Sequence, residues 1–535
     1  MKISKQTFDY IIVGAGSSGC VLANRLSENP DVSVLLLEAG GRDTNPWIHI
    51  PVGYFKTMHN PSTDWCYLTE PEEGTSNRRL QWPRGKVLGG SSSINGLLYV
   101  RGQAADYDRW EALGNKGWSY KEVLPYFKKS EDQERGADEY HGVGGPQKVS
   151  DLRLRRPIAD RFVKAATEVG IPFNKDYNGA DQNGVGYFQQ TTYKGFRWST
   201  AKGYLKPARN RPNLKVMVKA QVTRILFEGL KAVGIEYQKD RQLNQAFSNK
   251  EVILSAGAIG SPQILQSSGV GPKDLLDKVK VPIVKDLPGV GENLQDHLQI
   301  RLVFKTSEST LNDELNNFLK RIWVGMQFVF NRSGPLTLAA SQVAIFTRSN
   351  PEVGRPDIQF HMQPLSADKP GDGVHPFSAF TCSVCQLRPW SKGRIEIKSN
   401  NPLEYPAIFA NYLSDERDQK VAIDCIKVAR KISQAPSLKS CIIDEYVPGR
   451  QFQSDDELLQ AARDNSQTIY HPSCTCAMGN DEMSVVDDRL RVHGIQALRV
   501  VDASIMPELI SGNTNAPCIM IAEKAADMIK EDAHV

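Results

Sequence analysis

The stretch FDYIIVGAGSSGCVLANRLSEN, followed by VSVLLLEAGG, constrains the fold more than any other part of the chain. An apolar run ends in glycines, apolar residues then recur at three- and four-residue spacing, and a second apolar run closes on Glu38. That order predicts strand, tight turn, helix, strand. Gly14, Gly16 and Gly19 suit the tight turn, the close approach of backbone to a pyrophosphate, and the contact of helix with strand. Ser17 and Ser18 open the helix, whose N-terminus would face the negative charge. Glu38, 19 residues beyond Gly19, is placed to accept from ribose hydroxyls and disfavours a 2′-phosphate beside it. The motif predicts a dinucleotide and by itself fits NAD and FAD alike.

At 535 residues the chain exceeds one ordinary core, so two domains built from discontinuous segments are expected. LKVMVKAQVTRILFEGLKAVGIEYQ, KEVILSAGAI and the later GIQALRVVDASIMP read as further strands of the first domain. Between about 300 and 455, segments such as IQFHMQP, FTCSVCQLRPW and GRIEIKS suit an antiparallel sheet with helices packed on it. The expected fold is therefore an α/β Rossmann-like nucleotide-binding domain (1–155, 200–300 and 460–535) plus an α+β substrate-binding domain with an antiparallel sheet (156–199 and 301–459).

Lys plus Arg number 65 against 61 Asp plus Glu, and no stretch concentrates the excess, so no nucleic-acid partner is expected. Nine scattered cysteines read as reduced, buried thiols, which favours the cytoplasm. Cys382 and Cys385 form a lone C-x-x-C, and Cys474 and Cys476 lack companions, so no metal site is expected. A G-x-S-x-G elbow for serine hydrolysis is missing. MKISKQTFDYIIVGAG carries no small-residue cleavage site, so no signal peptide is read. IWVGMQFVF, residues 322–330, falls short of the roughly 20 residues of a spanning helix and reads as a core helix, with a substrate-side or membrane-touching element as the alternative. In RGKVLGGSSSINGLLYVRG, glycines and serines let backbone amides lie against a flat or anionic ligand. YHPSCTCAMG raises three readings of His471: metal ligand, half of a Cys/His pair, or a base serving another group.

At four stretches the chain resembles the glucose-methanol-choline (GMC) oxidoreductases, flavoproteins that oxidise alcohols. These are VGAGSSGCVLANRLSEN with LLLEAGG; GKVLGGSSSING; GAIGSPQILQSSGVGP; and YHPSCTCAMG with RVVDASIMPELISGNTNAPCIMIAEK. Within the family it resembles bacterial choline-dehydrogenase-like and aliphatic primary alcohol dehydrogenases, through GGRDTNPWIHIPVG, GFRWSTAKGYL, QLRPWSKGRIEIKS and the C-terminal motif. The resemblance implies FAD held by Gly14, Gly16, Ser17, Ser18 and Gly19, by Glu38 and Ala39, by Val87, Gly90, Asn95, Gly96 and Leu97 of the serine-rich loop, and by Val222, Ala256, Asp502 and Ala503. Val222 would lie by the adenine, and Asp502 with Ala503 near the ribityl-pyrophosphate. Some members attach FAD covalently through a histidine where this chain has Ile94, so noncovalent binding is expected.

Hydride loss from a neutral alcohol would leave a protonated carbonyl, so a base must take the hydroxyl proton. By motif the base is His471 and the residue orienting the substrate oxygen is Asn515, with Asn513 structural or cofactor-facing. Cys474 replaces the usual glycine of the HPxGT motif, narrowing the turn or touching the flavin. His297 has little claim on chemistry, and His361 is structural or lines the pocket. The implied partners are a primary alcohol and a quinone or dye-like acceptor, with peripheral contact at the inner membrane face if the acceptor is a quinone. An oxidase using oxygen is the alternative, followed by a light-driven flavin decarboxylase or a non-catalytic flavoprotein.

Overall fold

A computed structural model describes residues 6–339, 341–368 and 373–533; residues 1–5, the start of the stretch read for a leader, lie outside them. Two seven-stranded sheets organise the chain. In the first, Gln6–Val13 lies between Val34–Glu38 and Gln242–Leu254, parallel to both, because its apolar residues are covered on both faces. Leu214–Val218 extends the sheet on one side; Lys231–Lys239 and Ala220–Glu228 extend it antiparallel on the other. Leu498–Val500, near the end of the chain, pairs with Gln242–Leu254. Helix α1 (Ser17–Leu26) packs against the C-terminal helix Asn515–Asp532 on one face.

The second sheet runs Ile442–Val447, Leu298–Thr306, Ala379–Gln386, Ile358–Gln363, Val343–Thr347, Gly184–Tyr187, with every neighbouring pair antiparallel. The helices Pro157–Glu168 and Glu416–Ser433 supply apolar residues to its core. Two details differ from the sequence reading. Among the described residues Arg394–Glu396, inside GRIEIKS, pairs only with Ala407–Phe409, because Ile395 N donates to Gly291 O and Ile395 O accepts from Gln266, occupying the other edge. Leu298–Gln299 and Gln467–Thr468, both read with the nucleotide domain, pair with each other in the second sheet.

IWVGMQFVF is not a core helix. It belongs to helix α2 (Phe318–Asn331), of which only Val324 and Phe328 are buried. Among the described residues, no helix is long and apolar enough to cross a membrane.

Candidate active site

His471 is positioned by a short ladder between distant segments. Leu298 pairs with Thr468 and Gln299 with Gln467, and a bridge joins Gln295 to Ser473. Ile469 N donates to His297 O at 2.9 Å, which brings the two imidazoles together with Nδ1 to Nδ1 at 2.9 Å. The buried Asp296 carboxylate accepts from His471 N at 2.6 Å, from Thr468 Oγ1 at 2.5 Å and from the Tyr412 hydroxyl, and so pins the backbone of the HP turn.

The hydrogen bonds determine which nitrogen of His471 is bare. Leu387 O can only accept, so His297 Nε2, 2.9 Å away, carries a hydrogen. Burial lowers His297 to about 4, so its ring is neutral near pH 7 and its Nδ1 has a lone pair. His471 Nδ1 must then donate to it, which leaves Nε2 of His471 as an acceptor. Asn513 Nδ2 donates to that Nε2 at 3.0 Å, while Asn513 Oδ1 accepts from Gln359 Nε2 at 3.3 Å. The Leu387 carbonyl thus dictates the tautomer, and the Asn513 amide is oriented to match it. Burial, followed by repulsion between a second proton on His471 and protonated His297, protonated His361 and Arg84, holds His471 well below the usual imidazole range.

The partner of His471 is therefore Asn513, which corrects the motif-based choice of Asn515. Asn515 is the first residue of the C-terminal helix, here α3 (Asn515–Asp532), and its Oδ1 accepts from Ser17 Oγ at 2.8 Å. Ser18 Oγ donates to Cys518 O in the same contact. Docking of α3 on α1 turns Asn515 toward the glycine-rich turn and leaves Asn513, one position before the Thr514 cap, facing His471. His297 was the residue missed. It stands immediately before a strand, 174 positions from its partner, and no local pattern marks it.

One continuous cavity runs from Gly14, Gly16, Glu38 and Val222 to His471 and Asn513. Ser17, Ser18, Ala39, Gly90, Asn95, Gly96 and Leu97 line it, as do Ala256, Asp502, Ala503 and Asn515. Gly19 and Val87 do not. A Cβ at Gly19 would lie 1.9 Å from Gly14 O, so this glycine serves helix packing. Val87 is buried behind the loop in a bridge with Gly41.

The cavity fits a dinucleotide. A Cβ at Gly90 would meet Gly16 Cα at 2.6 Å, whereas one at Gly257 would meet nothing within 4 Å: two loops close on each other and leave open space beside them. The first turn of α1 has neither an acidic residue nor a side-chain cap, so its amides are free for an anion. Ser255 Oγ is buried without a partner among the described residues. Glu38 accepts from Ala15 N at 3.0 Å and Gly40 N at 2.8 Å, with lone pairs to spare for ribose hydroxyls; burial raises it to about 7 against those two bonds.

His361 lines the cavity with its Nε2 buried and unpartnered among the described residues, and burial lowers it to about 3. Cys474 does not line it: its Sγ lies 3.5 Å from Gln295 Oε1, and its φ of 76° explains why a glycine is usual there. Cys382 and Cys385 are buried with their thiols pushed up, which leaves them packed and unreactive.

A dinucleotide cradle joined by one cavity to a buried, unprotonated imidazole fits a nucleotide-dependent oxidoreductase. The GMC oxidoreductase family model matches residues 8–299 in its N-terminal part and 389–522 in its C-terminal part. The chain belongs to the GMC oxidoreductases, a family of flavin enzymes, and its dinucleotide is FAD. It is 47% identical over 526 residues to the alcohol dehydrogenase [acceptor] of Pseudomonas putida, covering 98% of this chain and 95% of that one. With the mitochondrial choline dehydrogenase of Mus musculus it shares 43% over 537 residues, covering 99% and 90%. The crystal structure of pyridoxine 4-oxidase from Mesorbium loti superposes with a TM-score of 0.89 at 31% identity, covering 99% of each chain.

Proposed function

We propose that the protein oxidises a primary alcohol to its aldehyde, with His471 as base and Asn513 orienting the substrate, and passes the electrons to a quinone or dye-like acceptor. The observation that carries this reading is the unprotonated Nε2 of His471 in the cavity, which accepts from the Asn513 amide. FAD, when bound, supplies a ring that accepts the hydride. Nε2 takes the hydroxyl proton, and Asn513 Nδ2 donates to the substrate oxygen and holds it in line. The Nδ1 proton of His471 is already shared with His297, which lets the resulting positive charge spread over two rings. Ile94 stands where a covalent histidine would, so the flavin is held noncovalently and acid precipitation of the protein should release all of it.

The cavity favours an uncharged alcohol with an apolar body. Tyr54, Phe55, Met58, Leu365 and Ile469 line it. Its only described carboxylates are Glu38 and Asp502, and both are engaged by backbone amides in the nucleotide half. Arg84 and Arg301 line the cavity, so a quaternary ammonium meets like charge. Anaerobic bleaching of the flavin with a panel of alcohols tests this: alkyl alcohols should reduce it at least about tenfold more efficiently than choline. A preference for choline would overturn the substrate reading, and no bleaching by any alcohol would overturn the reaction. Hydrogen peroxide released faster than a dye is reduced would assign the electrons to oxygen.

A further inference from the structure

Helix α2 inverts the ordinary amphipathic arrangement. Phe318, Leu319, Trp323, Val329 and Phe330 are each more than half exposed, at 58% to 78%, and Ile322 and Met326 are exposed beside them. At 100° per residue these seven occupy one arc of about 140°, with the buried Val324 and Phe328 on the opposite side. Such a contiguous apolar face on a folded surface marks a contact with something apolar.

Its surroundings specify the contact. From Phe318 to Gly334 the chain has no Asp or Glu, while Lys320 and Arg321 stand exposed in the first turn. At the other end, Arg153 Nη1 donates to Arg332 O, and Gly195, next to the exposed Lys194, lies against the same Arg332 carbonyl. Apolar side chains framed by cations at both ends match an anionic lipid interface, where rings and aliphatics enter the acyl boundary and cations meet the headgroups. The face also adjoins the cavity. α2 contacts the turn Pro335–Thr337 that follows it, and Leu338 packs in a cluster with Leu365 and Phe55, both of which line the cavity.

We propose that α2 docks the protein on an anionic bilayer, with the cavity wall next to the lipid. This goes beyond the alcohol reading and does not depend on it. The test is co-sedimentation of the flavin-loaded protein with phosphatidylcholine vesicles, with and without phosphatidylglycerol. The unaltered protein should pellet with phosphatidylglycerol vesicles and be released by salt. The triple variant Leu319→Ser, Trp323→Ser, Phe330→Ser should lose at least about tenfold in partitioning while keeping its flavin spectrum and its thermal melting midpoint. The surface variant Lys320→Glu, Arg321→Glu, which removes no packing, should lose the preference for phosphatidylglycerol by at least about tenfold. The proposal is overturned if the unaltered protein stays in the supernatant with every vesicle, or if neither variant changes its partitioning. A dimer in sedimentation equilibrium that the triple variant dissociates, without vesicle binding, would assign the face to a second copy instead.

Discussion

His471 and His141 are both buried imidazoles with a partner on each ring nitrogen, yet they carry opposite electrostatics. Around His471 stand His297 and Asn513, which are neutral, and the nearby Asp296 spends its carboxylate on backbone and hydroxyl donors. His141 lies between Glu131 and Asp176, with Nε2 2.9 Å from Asp176 Oδ2. Burial alone would lower His141, but those bonds raise it to about 9, whereas His471 is held well below its ordinary value. A base must begin with a lone pair. Enclosure by neutral partners preserves one, and enclosure by carboxylates fills it. The same filling removes the Asp138, His141 and Asp176 cluster from consideration as a metal site, since both ring nitrogens of His141 already donate.

The sharpest way to break this contrast is His471→Ala. It should leave a yellow protein whose flavin is reduced by alcohol ~10³-fold more slowly in anaerobic stopped flow; unchanged reduction would remove the base. Next comes the pair of asparagines. Asn513→Ala should cost ~10²-fold in kcat, whereas Asn515→Ala, which loses the Ser17 contact, should weaken retention of FAD more than turnover. The reverse pattern would restore Asn515 as the partner. His297→Leu frees the His471 tautomer, and should lower kcat about tenfold and shift the pH profile of turnover without altering the flavin spectrum. If His297 is only a packing residue, the profile will not move.

Stability against pH probes both settings together. For His297, His361 and His471, folded values lie below the unfolded one, so the unfolded chain takes up protons first as pH drops below about 6.5. Stability is therefore lost on the acid side, until His297 at about 4 and His361 at about 3 also titrate. Each group contributes up to ~1.4 kcal/mol per pH unit in that window. For His141 the sign is opposite: its contribution is complete below about 6.5 and lost as pH rises through about 9. Thermal melts should show both limbs, with His141→Asn flattening only the alkaline one. The smallest effect is expected for Cys474→Gly, which relieves a left-handed φ but gains chain entropy in the unfolded state. The two terms nearly cancel, to within ~1 kcal/mol in chemical denaturation.

How much could be read in advance depended on how far apart the interacting residues lie. The glycine turn and Glu38 were legible because strand, turn, helix and strand follow one another between Gln6 and Glu38, and their roles are local. His471 was legible through its motif. Asn513 and Asn515 were not separable, since they share the GNTNAP turn and only the seating of α3 on α1 turns them apart. The apolar run of α2 read as core because composition reports hydrophobicity, whereas exposure depends on what the rest of the chain leaves uncovered.

The sequence by itself determined the nucleotide cradle, the family and a candidate imidazole that lines the cavity, because these rest on contiguous residues whose backbone preferences and spacing act locally. Only the tertiary structure decided which asparagine faces that imidazole, which of its nitrogens is bare, and which apolar helix meets solvent. Those outcomes depend on hydrogen bonds and packing between segments up to hundreds of residues apart, and no local preference encodes them.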